Sequence, residues 1–144
     1  VQASDNLTLM ANGGIIDSDI QAFTARPDLI GSSLPHVADY NLNLVAEYEY
    51  AMSSEINLIL RGDVNHTGPR IFTFDLADIE SSKQTFINLR ATFEADVWSI
   101  TAFADNLTDE RQIEDLVLMG NSVVSLGRFP NVGFSFGVQF NYEF

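Results

Sequence analysis

Five residues near the end of the chain, Gly133-Phe134-Ser135-Phe136-Gly137, match G-x-S-x-G, the pattern that raises a serine nucleophile on a tight elbow for acyl transfer. That chemistry requires a strained turn from strand to helix. Here the alternation of residue types runs through the motif unbroken and no helical periodicity follows, so the two glycines and the serine read as small residues on one face of a strand. The histidines, His36 and His66, each sit at a loop–strand boundary without a partner at ligand spacing, and a metal site needs converging ligands. Asp75, Asp78 and Glu80 could offer carboxylate oxygens to calcium, but they lack the regular spacing of a calcium loop and read as a solvated acidic loop. Asn6-Leu7-Thr8, Asn65-His66-Thr67 and Asn106-Leu107-Thr108 match the glycosylation triplet, which would matter only in a eukaryotic secreted protein. The residues therefore point to no catalytic centre, no metal and no cofactor, and the expectation is that the protein is not an enzyme.

Composition narrows the class further. The chain has 144 residues, with 20 acidic against 7 basic side chains and a formal charge of -13. Such a surface repels nucleic acid, whose phosphates require clustered Lys and Arg. A hydrophobic fraction of 46% with 11 Phe is too apolar for a disordered acidic tail. The absence of cysteine excludes a disulfide framework and thiolate metal sites. No apolar run reaches the length of a membrane helix. Membrane strands escape that test, because their alternating residues average out.

The elements that would position any site are strands. Val132, Phe134, Phe136, Val138, Phe140, Tyr142 and Phe144 share one parity, and Gly133, Ser135, Gly137, Gln139, Asn141 and Glu143 the other. A period of two puts each set on one face of a strand. The same alternation recurs with Leu44, Ala46, Tyr48 and Tyr50; with Leu58, Leu60, Gly62 and Val64; with Leu89, Ala91 and Phe93; and with Trp98, Ile100, Ala102 and Ala104. A weaker strand covers about 6–16. Within the five clear strands every charge lies on the polar parity. In lipid this matters, because a Lys or Arg facing hydrocarbon near mid-bilayer costs about 2–4 kcal/mol. Arg61, Asp63, Arg90 and Glu94 accordingly face the other side, the lumen of a barrel. Cross-strand pairing that holds the wall is the plainer role for them; contact with a plug or a passing ligand is the functional one.

Short connections at 51–54 and 95–97 alternate with long ones at about 17–35, 66–82 and 108–131, which hold all four prolines and the loop arginines Arg70 and Arg128. Structureless loops beyond about 12–15 residues are uncommon in compact soluble domains. Short periplasmic turns and long extracellular loops are the habit of outer-membrane barrels. With that orientation Tyr48, Tyr50, Phe93, Trp98, Tyr142 and Phe144 fall together as an aromatic girdle at the periplasmic interface.

Ala104-Asp105-Asn106-Leu107-Thr108-Asp109-Glu110 resembles the Asn-Leu-Thr-Asp-Glu signature near the penultimate strand of TonB-dependent outer-membrane receptors. The Pro-containing loop 31–35 leading into the strand that ends at Tyr48 and Tyr50, Arg128-Phe129-Pro130 before the last strand, and the terminal Phe144 resemble the same C-terminal region. The resemblance implies an all-β, antiparallel transmembrane β-barrel segment over residues 1–144, with no plug domain in the chain. It implies energised uptake of a scarce nutrient such as a ferric siderophore, cobalamin or glycan, with TonB acting through the absent plug. The motif residues are Asn106, Leu107, Thr108, Asp109 and Glu110. Val138, Phe140, Tyr142 and Phe144 resemble the terminal signal read by the barrel assembly machinery, although they could simply close the girdle.

The expectation is a bacterial outer-membrane wall of about six long strands in contact with lipid. Its first residue is Val1 and no signal peptide precedes it, so the chain reads as a processed or cut piece. An open six-stranded sheet leaves unpaired edges in lipid, so the piece alone is expected to aggregate unless upstream strands are supplied. The rival readings are a stand-alone small barrel or adhesin, with 113–126 as a further strand, a rim hydrolase using Ser135, and a soluble binding module with its aromatics turned inward.

Overall fold

The computed structural model describes residues 1–76, 80–111, 113–119, 125–130 and 132–144, and for 76, 113–119 and 125–130 the backbone alone. Asp78 and the side chain of Arg128 thus lie outside the described residues.

The described residues are all-β apart from two short 3-10 turns, Pro27–Leu29 and Phe74–Leu76. Among the described residues nine strands form: β1 (Gln2–Ser4), β2 (Leu7–Ile15), β3 (Tyr40–Ala51), β4 (Asn57–Thr67), β5 (Gln84–Glu94), β6 (Trp98–Asp105), β7 (Ile113–Met119), β8 (Ser125–Pro130) and β9 (Ser135–Tyr142). Seven of them build one antiparallel sheet in the order β1-β2-β3-β4-β5-β6-β9, and β7 and β8 form a hairpin of their own. The main strands β2 to β5 are 9, 12, 11 and 11 residues long. A tilted membrane strand needs about 9–11.

The six strands expected from alternation are all present. Three particulars differ. The described parts of 113–126 do not join the wall: β9 occupies the edge of β6 from Trp98↔Tyr142 to Asp105↔Ser135, and β7 pairs with β8 instead. The connection 108–131 is therefore not structureless. Gly133 does not lie in the last strand, which starts at Ser135, because the backbone before it is held by a turn described below. β1, three residues without alternation, left no periodic trace.

The register carries each side chain's face across the whole sheet. One row runs Leu9, Ala46, Gly62, Leu89, Ala104, Phe136; the next runs Leu7, Tyr48, Leu60, Ala91, Ala102, Val138. A third runs Tyr50, Leu58, Phe93, Ile100, Phe140, and Trp98 meets Tyr142 beside it, so the expected aromatics do share one end of the sheet. Among the described residues no second layer covers this face. Phe136 is 78% exposed, Val138 72% and Phe140 62%. Burying one such side chain is worth roughly 1.5–3 kcal/mol, and an apolar patch this extensive is foreign to a water-facing surface. The face has the composition that hydrocarbon favours. Among the described residues the buried apolar side chains are Leu29, Val45, Ile71 and Phe72, three of them in the long connections.

Candidate functional site

Three places carry the polar and special residues: the sheet face opposite the apolar one, the long connections at one end, and the approach to β9.

On the polar face one row runs Glu47, Arg61, Arg90, Phe103, Gly137. Arg61 and Arg90 are direct cross-strand partners, which for like charges is destabilising. Each is relieved by a carboxylate. Arg61 Nη1 donates to Glu47 Oε2 at 3.0 Å, and Arg90 Nη2 to Asp105 Oδ1 at 3.3 Å. Arg90 Nη1 also stands 4.0 Å from Asp63 Oδ1. Asp63 in turn accepts from Asn88 Nδ2 at 2.7 Å and Asn65 Nδ2 at 3.0 Å, and Asn43 Nδ2 donates to Asn65 Oδ1 at 2.6 Å. Arg61, Asp63 and Arg90 are thus close together on this face. Glu94 is not: its partners are Asn57 and Ser99 near the short turns, four residues along β5 from Arg90, roughly 13 Å at strand rise. The amides Asn43, Asn65 and Asn88 and the carboxylate Asp105 complete the network, and their shared parity was the only trace of them in the sequence.

At the other end the connections 16–39 and 68–83 pack on each other. Leu29, Ile71 and Phe72 are buried there. The His36 N–H donates to Ile71 O at 2.9 Å, and its ring meets Phe72 edge-on at 6.4 Å. His36 holds a left-handed φ of 61°. The Arg26 guanidinium forks onto Asp28 (Nη2 to Oδ2, 2.9 Å) and reaches Asp75 Oδ1 across the two connections at 3.2 Å. That pairing holds the Asp28 carboxyl below its usual range and raises the guanidinium. Of the calcium candidates, Asp75 is thus paired with Arg26, and Glu80 bridges to Ile71 through the backbone. The Arg70 N–H donates to Ser81 Oγ at 3.1 Å. His66 shares a hydrogen bond with Thr85 Oγ1 at 2.8 Å and stacks on Tyr40, centroids 5.7 Å apart. The two histidines do not meet, and among the described residues no three metal-ligating side chains converge.

The turn after β6 contains Asn106, Leu107, Thr108, Asp109 and Glu110. Asn106 is 5% exposed and its φ is 53°. Its Oδ1 accepts from the Glu110 N–H at 2.9 Å, and its Nδ2 donates to Glu110 O at 3.1 Å and to Val132 O at 3.0 Å. Asp109, φ 48°, accepts from the Phe134 N–H at 2.9 Å and from Arg111 Nε at 3.0 Å. The Phe134 N–H, and then Arg111, hold the Asp109 carboxyl below its usual range.

Val138, Phe140 and Tyr142 lie on the apolar face of β9, at the open edge of the sheet, with the Phe144 ring edge-on to Tyr142 at 5.1 Å. Ser135 opens β9 opposite Asp105, in extended backbone rather than on an elbow.

No family model and no curated protein matches the chain. Solved structures do. The ferric yersiniabactin uptake receptor FyuA from Yersinia pestis superposes over 99% of the chain with a TM-score of 0.83 at 23% identity. BauA, the ferric preacinetobactin receptor from Acinetobacter baumannii, superposes over 97% with a TM-score of 0.69 at 15% identity. The chain spans about a fifth of either receptor, 22% and 20%. At these identities the likeness speaks for architecture: this open antiparallel sheet has the fold of a stretch of β-barrel receptor wall.

Proposed function

We propose that residues 1–144 form the C-terminal wall and extracellular connections of an outer-membrane TonB-dependent receptor that takes up a ferric siderophore. The observation that carries this reading is the superposition of almost the whole chain on a ferric chelate uptake receptor. The one-sided apolar sheet supports the membrane setting, and two ferric chelate receptors among the neighbours favour that ligand class over cobalamin or glycans. The chain's work is then structural. The apolar face meets lipid, and Arg61, Asp63 and Arg90 line the lumen, where a plug carried elsewhere in the receptor would take the coupling to TonB. Val138, Phe140, Tyr142 and Phe144 form the strand read by the barrel assembly machinery. Function on this reading is transport rather than catalysis.

The test is iron uptake by a Gram-negative strain stripped of its own siderophore receptors and supplied with the full-length polypeptide. Uptake of a ferric siderophore that disappears when TonB is deleted is the expected result. A correctly inserted protein that binds and transports no ferric chelate from a broad panel overturns the ligand class; insertion with uptake independent of TonB overturns the receptor class. Deletion of Phe144 is expected to slow appearance of the folded barrel in pulse-chase, and an unchanged rate would leave Phe144 as girdle only.

A further inference from the structure

We propose that the turn from Asn106 to Glu110 is a clasp that sets the register of the last wall strand. For β3–β4 and β5–β6, short turns at 52–56 and 95–97 do this locally. The β6–β9 pair has no such turn: Asp105 and Ser135 are direct partners although 30 positions apart in sequence. The hydrophobic pattern fixes only half of the answer. A slip of one residue would turn every aromatic of β9 to the polar face, but a slip of two keeps Phe136, Val138, Phe140 and Tyr142 on the apolar face. Something else must exclude the slip of two.

The clasp grips both sides of the junction. Toward β5, the Asn106 N–H donates to Asn88 Oδ1 at 2.8 Å, the Leu107 N–H to Ile87 O at 2.8 Å, and Thr108 Oγ1 to Thr85 O at 3.1 Å. Toward β9, Asn106 Nδ2 holds Val132 O, and Asp109 Oδ1 holds the Phe134 N–H. A two-residue slip moves that N–H by roughly 6.4–6.8 Å, beyond hydrogen-bond reach. Gly133 fits between, since a Cβ there would stand 2.6 Å from Asp109 Oδ1. A second contact agrees: Phe103 lies over Gly137, where a Cβ would come within 2.6 Å of its ring, so a slip bringing Ser135 or Gln139 to that place is resisted. With register set by the clasp, the excursion carrying β7 and β8 is free to differ in length without disturbing the wall.

The experiment uses cysteine pairs in the full-length polypeptide folded in outer membranes; this chain supplies no cysteine of its own. Ala102→Cys with Val138→Cys reports the native register, and Ala102→Cys with Phe136→Cys or Phe140→Cys reports a slip of two. The parent is expected to form the native bridge alone, and to keep it when 113–130 is replaced by a Gly/Ser link. Asn106→Ala is expected to lower the native-to-slipped ratio by roughly tenfold, the scale of one buried polar group left unsatisfied. Asn65→Ala, which removes a wall hydrogen bond away from the turn, is expected to leave the ratio unchanged. If Asn106→Ala does not reach the membrane, Asp109→Ala with the same pairs gives the reading. Exclusive native bridging in the clasp variants, an equal slip in Asn65→Ala, or a slip on replacing 113–130 overturns the proposal.

Discussion

The wall and the cap of long connections above it are built on opposite plans. The wall is a single layer joined by backbone ladders in the order β1-β2-β3-β4-β5-β6-β9, and among the described residues its apolar face is packed against no second layer. The cap has almost no ladder. Leu29, Ile71 and Phe72 are buried in it, and its two connections are joined by the His36 ring against Phe72, the His36 N–H on Ile71 O and Arg26 on Asp75. The wall leaves the solvation of its hydrophobic residues to its surroundings, whereas the cap must solve the problem internally, as a small water-soluble protein does. Side-chain truncation should therefore hurt the cap, and charge should hurt the wall.

The largest effect is expected at Phe72, 3% exposed. Phe72→Ala should cost the cap about 3–5 kcal/mol, seen as rapid hydrogen exchange and proteolysis across 16–39 and 68–83 with the wall still protected. Loss of protection in β3 and β4 as well would break the division between the two regions. Next comes a pair of neighbours on β5. Ala91→Arg faces the apolar side and should cost about 2–4 kcal/mol in urea unfolding from lipid vesicles, while Thr92→Arg on the polar face should cost under about 1 kcal/mol. Equal penalties would mean that the outward face does not meet lipid.

A smaller change is expected at Arg61, whose pair with Glu47 is partly exposed at 38% and 27%. Arg61→Gln should shift wall stability by about 0–1 kcal/mol, since such pairs contribute little. A larger loss in the same unfolding experiment would place the pair in a tighter network than the geometry gives. The smallest effect concerns pH in the cap. Asp28 is depressed by Arg26, so its contribution is present above the unfolded pKa of about 3.9 and is lost as pH falls through the lower folded value. Cap proteolysis should rise slightly below about pH 4, and Asp28→Asn should remove that step.

The wall was legible in the sequence because its one-sided solvation writes a period of two into β3, β4, β5, β6 and β9. The cap was not, because Leu29, Ile71 and Phe72 come from connections with no period, so nothing local marks them for burial. The polar cluster was half legible. Arg61, Asp63 and Arg90 share a parity and a row, but parity alone cannot tell that Glu94 lies a third of a strand away, since height in the sheet depends on turn geometry. Asn106 was visible only as part of a resemblance. What its side chain grips, Val132 O, lies across the longest excursion of the chain, where local patterns say nothing.

Strand direction has an arithmetic consequence. Six antiparallel pairings separate β1 from β9, so the two rims of the sheet point the same way. Bending the sheet until its rims touch would join them parallel, and so would ringing up identical copies in one orientation. An unbroken antiparallel cylinder can be completed only by adding strands of odd number.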